Sequence, residues 1–107
     1  METISFEDFK KLEIRIGKIT VAEKIENSEK LLKLMVDFGV EKRQILAGIA
    51  KYYAPEALVG KECPFVFNLA TKVIGGNESQ GMILCADDGQ PVLLHPDKEI
   101  LPGSIIK

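Results

Sequence analysis

The sequence predicts an all-β fold, a small five-stranded barrel forming one domain, and three observations predict it. Apolar and polar residues alternate with a period of two in several short runs, as strands with one buried face require. The runs fall in the order three strands, a short helical segment, then two or more strands. The chain has 107 residues and 46% hydrophobic content, which suits one modest core.

Each element has its own reason. Ser5 stands three places before Asp8, a weaker form of the capping box, and with Phe9 and Leu12 it predicts a single helical turn. Leu12, Ile14 and Ile16 then alternate with Glu13 and Arg15, and alternation resumes on odd numbers at Ile19 and Val21. That phase slip predicts a β-bulge near Gly17-Lys18. A second strand carries Leu32, Leu34, Val36 and Phe38 on one face and Lys33, Met35 and Asp37 on the other. Gly39-Val40-Glu41-Lys42 turns into a third strand, Arg43 to Ile49, with Ile45, Ala47 and Ile49 inward. Pro55 can open and Gly60 close a short helix over 53–60. Phe65, Val66, Phe67 and Leu69 make a fourth strand, and residues 70–80 a polar, glycine-containing loop. Met82 to Ala86 make a fifth strand, and Asp87-Asp88-Gly89-Gln90 turns into Pro91-Val92-Leu93-Leu94. This order fits the five-stranded Greek-key barrel called the OB fold, although a generic small barrel or half-sandwich would give nearly the same periodicity.

Composition excludes several functions. No apolar stretch approaches the roughly 20 residues that span a bilayer, and the start Met1-Glu2-Thr3 lacks the basic-then-apolar order of a secretory signal, so a cytoplasmic protein with no membrane role is expected. Cys63 and Cys85 lack Cys-x-x-Cys spacing and cannot complete an ordinary zinc site with the one histidine, His95; both read as buried reduced thiols. His95, between Leu94 and Pro96, offers no Ser/His/Asp or Cys/His set, and Asp87-Asp88 beside Gly89 read as turn formers. Gly75-Gly76 has no Walker lysine or βαβ context. No catalytic set, zinc site or phosphate-cradling loop is therefore expected.

The net charge of -2 gives no global field for a polyanion, but 10 of the 14 Lys/Arg lie in residues 1–51, so any such site is a local patch. Two sets stand out. Lys30, Lys33 and Arg43 fall on or beside the second and third strands, the usual oligonucleotide platform of an OB fold, where three cations would share one face. Charge alone favours a solvated, salt-bridged surface there, given Glu29, Asp37 and Glu41. Asn68, Lys72, Ser79 and Met82 bracket and fill the 70–80 loop, where amide and hydroxyl can bond bases or phosphates and an exposed Met can pack on a base. As isolated residues, Asn68 and Ser79 read rather as turn stabilisers and Met82 as core. Tyr52-Tyr53, beside a short helix, read as amphipathic core cover and stay outside the site.

Ordered strings along nearly the whole chain carry more. Asp8-Phe9-Lys10-Lys11-Leu12-Glu13-Ile14-Arg15-Ile16-Gly17-Lys18-Ile19, Lys30-Leu31-Leu32-Lys33-Leu34, Arg43-Gln44-Ile45, Ala47-Gly48-Ile49-Ala50, Tyr53-Ala54-Pro55-Glu56, Leu58-Val59-Gly60-Lys61, Asn68-Leu69 and Glu78-Ser79-Gln80-Gly81-Met82 resemble the tRNA-binding domain family, free structure-specific tRNA-binding proteins and C-terminal appendices of methionyl-tRNA synthetase. The resemblance implies an OB fold, a homodimer, recognition of tRNA shape at its corner, and neither catalysis nor cofactor. By position it places Lys30, Lys33, Arg43, Asn68, Ser79 and Met82 in the tRNA contact, with Ser79-Gln80-Gly81-Met82 the most diagnostic piece. It assigns residues 1–107 to one tRNA-binding domain, with the part from about Pro91 onward in the dimer interface: Val92, Leu93, Leu94, Ile100, Leu101, Ile105 and Ile106 bury between subunits.

One departure matters. Where the family commonly has proline and then basic residues after Asn68-Leu69-Ala70, this chain has Thr71, Lys72, Val73, Ile74 and Gly75. Each lost phosphate contact weakens salt-dependent binding, which favours a module working with a methionyl-tRNA synthetase catalytic chain over an autonomous one. Two other functions fit the same fold: a relative of the export-related branch that binds unfolded polypeptide, and a pure dimerisation or scaffold domain.

Overall fold

A computed structural model describes all 107 residues. Helix α1 spans Phe6–Lys10, capped as expected by Ser5, whose hydroxyl accepts from Asp8 N at 3.1 Å. Strands β1 (Ile14–Lys24), β2 (Leu32–Asp37) and β3 (Lys42–Ala47) follow, then a 3₁₀ turn at Pro55–Ala57 and β4 (Glu62–Val66). Three short pieces, β5 (Lys72–Ile74), β6 (Asn77–Ser79) and β7 (Met82–Ile83), precede the hairpin of β8 (Cys85–Asp87) with β9 (Pro91–Leu93), and β10 (Ile105–Ile106) ends the chain. The main sheet runs β3-β2-β1-β4-β7, all antiparallel, with β10 added to β1.

This is an OB fold, a nearly closed five-strand barrel, and polar side chains draw its seam together. Between β3 and the β6–β7 segment, Gln80 N donates to Gln44 O at 2.8 Å and Gln44 N to the Gln80 side-chain oxygen at 3.2 Å. The Gln44 amide donates to Glu78 O at 2.9 Å. Inside the barrel, Leu32, Leu34, Val36, Phe38, Ile45, Ala47 and Ile49 join one core cluster, as the alternation predicts. Phe38 meets Phe65 and Phe67 edge-on, with ring centroids 5.5 and 4.9 Å apart.

Several expectations need correction. The bulge is at Thr20, where the β1–β2 register slips between Ile19 and Val21, while pairing of β1 with β4 is unbroken from Ile14 to Lys18. Gly17 therefore faces the core in phase with Ile19, and a Cβ there would lie 2.4 Å from Val36 Cγ1. Ile16 points to the opposite face, buried but outside the core cluster, beside the C-terminal segment that bonds its backbone: Ile16 N to Ser104 O at 2.9 Å and Gly103 N to Ile16 O at 2.7 Å. The apparent phase slip thus records two buried faces of one strand, and beyond the true bulge Val21 turns outward. The expected fourth strand begins earlier, at Glu62, and Leu69 is exposed. The expected fifth is split at Leu84, because β7 pairs with β4 and β8 with β9.

The 70–80 loop is a hairpin. β5 pairs with β6 from Lys72↔Ser79 to Ile74↔Asn77, and the two-residue turn Gly75-Gly76 has φ of +58° and +81°. Positive φ at both central positions is the type I′ geometry whose twist matches antiparallel strands. The Gly-Gly spacing is the available signal, and strands of only three residues each, β6 wholly polar, hide it.

Candidate nucleic-acid interface

The two candidate sets are parts of one construction, in which some of the predicted residues hold the fold and others stand free. Arg43 belongs to the first kind. Its register partner on β2 is Val36, on the core-facing side, whereas Lys33 opposes Leu46 on the outer side. The expectation that Lys30, Lys33 and Arg43 share one face therefore fails for Arg43, which is in phase with Ile45 and Ala47. Its guanidinium lies 3.6 Å from the Phe67 ring centroid, donates to Phe67 O and, at 3.3 Å, to Gln80 O. It also pairs with the Glu41 carboxylate at 3.1 Å. Arg15 lies over the same ring at 4.6 Å, paired with Glu13. Phe67 is thus a stacking surface for two guanidiniums, a role the alternation pattern alone does not reveal.

Ser79 is buried; its hydroxyl accepts from Leu46 N and donates to Gly81 O, both at 3.0 Å. Gly81 must be glycine, since at φ +146° an added Cβ would stand 2.8 Å from Val66 O. The string Ser79-Gln80-Gly81 is therefore the barrel seam itself. Asn68 clasps the N-terminal segment: its amide donates to Lys11 O at 2.7 Å and accepts from Glu13 N at 2.8 Å. All three motif residues, Arg43, Ser79 and Asn68, spend their polar groups within the protein.

The second kind presents its chemistry to solvent. Lys30, on the β1–β2 connection, and Lys72, on β5, are exposed and make no ion pair. Lys33 is half-buried and pairs with Glu23 at 3.5 Å. Met82 is 45% exposed on β7, opposite Val66, outside the core. Exposed Lys42, two positions before the hairpin-gripping Gln44, joins this set.

No group of three or more metal-binding side chains assembles, and no helix is long and apolar enough to cross a membrane. Cys63 and Cys85 are free thiols, and Cys63 is wholly buried. Burial first, then Cys85, pushes the Cys63 thiol up to about 11 against a weaker opposing pull from Lys61, and burial also raises Cys85. His95 Nδ1 lies 3.7 Å from Cys63 Sγ but 2.8 Å from Glu62 O. A raised thiol beside an imidazole nitrogen engaged by a backbone carbonyl is the opposite of an activated nucleophile.

Comparison with known proteins shows the family. Residues 14–105 match the family described as "Putative tRNA binding domain". The methionine–tRNA ligase of Archaeoglobus fulgidus is 53% identical over 104 residues, covering 96% of this chain but only 16% of that protein's length. Among solved structures, a MetRS related protein from Pyrococcus horikoshii superposes with a TM-score of 0.93 at 40% identity, covering all of both chains. The chaperone CsaA of Bacillus anthracis superposes with a TM-score of 0.89 at 35% identity, covering 99% of this chain and all of that one. On the match across both candidate loops and the identity to these relatives, the chain belongs to the tRNA-binding domain family.

Proposed function

We propose that residues 1–107 act as a non-catalytic tRNA-binding unit that works as a homodimer in the cytoplasm and supplies tRNA to a methionyl-tRNA synthetase catalytic chain, fused or separate. The observation that carries this reading is the family match over 14–105, which takes in both candidate loops, on a barrel where Lys30, Lys72 and Met82 are exposed and neither lysine makes an ion pair. Phosphates are held by Lys30 and Lys72, with Lys33 and Lys42 adding charge, and Met82 packs on an unstacked base or ribose. Arg43, Asn68 and Ser79 set the position of these groups. With Lys72 the one cation between Thr71 and Gly75, binding is weak and salt-sensitive, so pairing two sites in a dimer raises its strength.

Exposed apolar side chains at both chain ends support the dimer: Phe6, Leu101 and Ile105 are 72, 81 and 58% exposed, and Val92, Leu94, Ile100 and Ile106 are also uncovered. Leu93 is the exception among the expected interface residues, since it is already buried in the core cluster. The likeness to CsaA favours a second reading, in which the same domain binds unfolded polypeptide as a chaperone. Fluorescence anisotropy with labelled tRNA at low salt tests the first. Binding that weakens in Lys30→Ala plus Lys72→Ala supports it; binding of a reduced, carboxymethylated protein but not of tRNA moves the function to the second.

A further inference from the structure

The two tyrosines, expected to act together as core cover, divide. Tyr53 packs on the core and its hydroxyl accepts from Leu93 N at 3.1 Å. Tyr52 is 49% exposed. Both backbone N–H groups donate to Ile49 O, at 3.0 and 3.1 Å, so a tight turn fixed by the buried Tyr53 presents the Tyr52 side chain.

Tyr52 lines an open groove of about 480 Å³ with Lys24, Lys51, Pro55 and Glu56. Lys24 ends β1, Lys51 follows β3, and neither makes an ion pair; Lys30 is adjacent, its carbonyl accepting from Ala50 N at 3.0 Å. The groove is therefore continuous with the cationic loop assigned to tRNA above. An exposed aromatic ring in a groove shared with uncommitted lysines is the combination by which proteins hold a single nucleotide of an unpaired strand: the ring stacks a base and the cations take phosphate. Glu56, the one acid on the walls, opposes phosphate but can accept an N–H from the edge of a base.

We propose that this groove is a second RNA subsite, taking one unstacked base on Tyr52 and its neighbouring phosphates on Lys24 and Lys51. The proposal rests on the tRNA-binding reading and extends it from the corner of the folded RNA to an unpaired nucleotide.

The chain has no tryptophan and only these two tyrosines, so its intrinsic emission comes from Tyr52 and Tyr53 alone. Titration of the full chain with tRNA and with a short single-stranded oligonucleotide should quench that emission in the wild type. Tyr52→Phe should bind nearly as tightly but lose the Tyr52 share of the quenching, and because the nucleic acid absorbs equally in both samples, the difference reports stacking. Tyr52→Ala should weaken binding roughly five- to hundredfold, and Lys24→Ala plus Lys51→Ala should lower the salt slope by about 2. Wild-type affinity in Tyr52→Ala together with a wild-type salt slope in the lysine pair, while Lys30→Ala plus Lys72→Ala still weakens binding, overturns the subsite and spares the tRNA reading. Equal quenching by inorganic polyphosphate, which has no bases, overturns the stacking role. Absence of any tRNA binding by the wild type overturns both.

Discussion

Arg43 and Lys72 flank the same hairpin, yet they differ in what remains for a ligand. Arg43 is held by the Phe67 ring, two carbonyls and the Glu41 carboxylate; Lys72 is exposed and makes no ion pair. The same contrast separates Ser79 and Asn68 from Lys30 and Met82. A residue's chemical type says what it can bind, but the bonds it already makes decide whether it is available. A buried group whose partners are removed costs far more than an exposed one. Substitutions on the two sides should therefore give opposite signatures, one in stability and the other in binding.

The largest effect is expected at Arg43. Arg43→Ala removes the stack on Phe67 and the donor to two carbonyls, and should lower stability by about 2–4 kcal/mol in denaturant melts. Arg43→Lys should rescue little of it, because an ammonium cannot reproduce the planar fork. A variant as stable as the wild type but deficient in tRNA binding would move Arg43 to the ligand side. Burial without a binding role has its own control in Cys63. Its folded-state pKa, about 11, lies above the unfolded 9.0, so its contribution is intact below pH 9 and lost as pH rises through 11. Under reducing conditions the wild type should lose on the order of 2 kcal/mol more than Cys63→Val across that window. Ser79→Ala leaves Leu46 N without its acceptor at the seam and should cost about 1–2 kcal/mol, read as a lower melting temperature.

Much of this arrangement was legible in the sequence. The β2–β3 hairpin followed from strict alternation of Leu32 to Phe38, each of which falls inside the barrel. Strand β1 was harder because Ile16 and Ile19 are both buried, on opposite faces, and a period-two pattern assumes one wet face. The β5–β6 hairpin was hidden because its strands are short and mostly polar, docked by side-chain bonds from Gln44 and Gln80 instead of by a hydrophobic face. At the site, residue identity led to Lys30, Lys72 and Met82, but whether a polar side chain is spent inside the fold depends on partners as distant as Arg43 from Phe67 or Asn68 from Lys11. Such long-range partners leave no mark on local spacing. Tyr52 and Tyr53 make the same point, since adjacent identical residues take opposite roles.

The smallest expected stability change belongs to the pair Lys30→Ala plus Lys72→Ala, within about 0.5 kcal/mol of the wild type, since neither lysine has an ionic partner to lose. That pair is also the most direct test of tRNA binding by the free cations. Measured as tRNA affinity over a series of salt concentrations, it should bind more weakly than the wild type at low salt and show a slope smaller by about 2, one unit for each phosphate contact. An unchanged affinity and slope in a protein that binds tRNA would contradict the account.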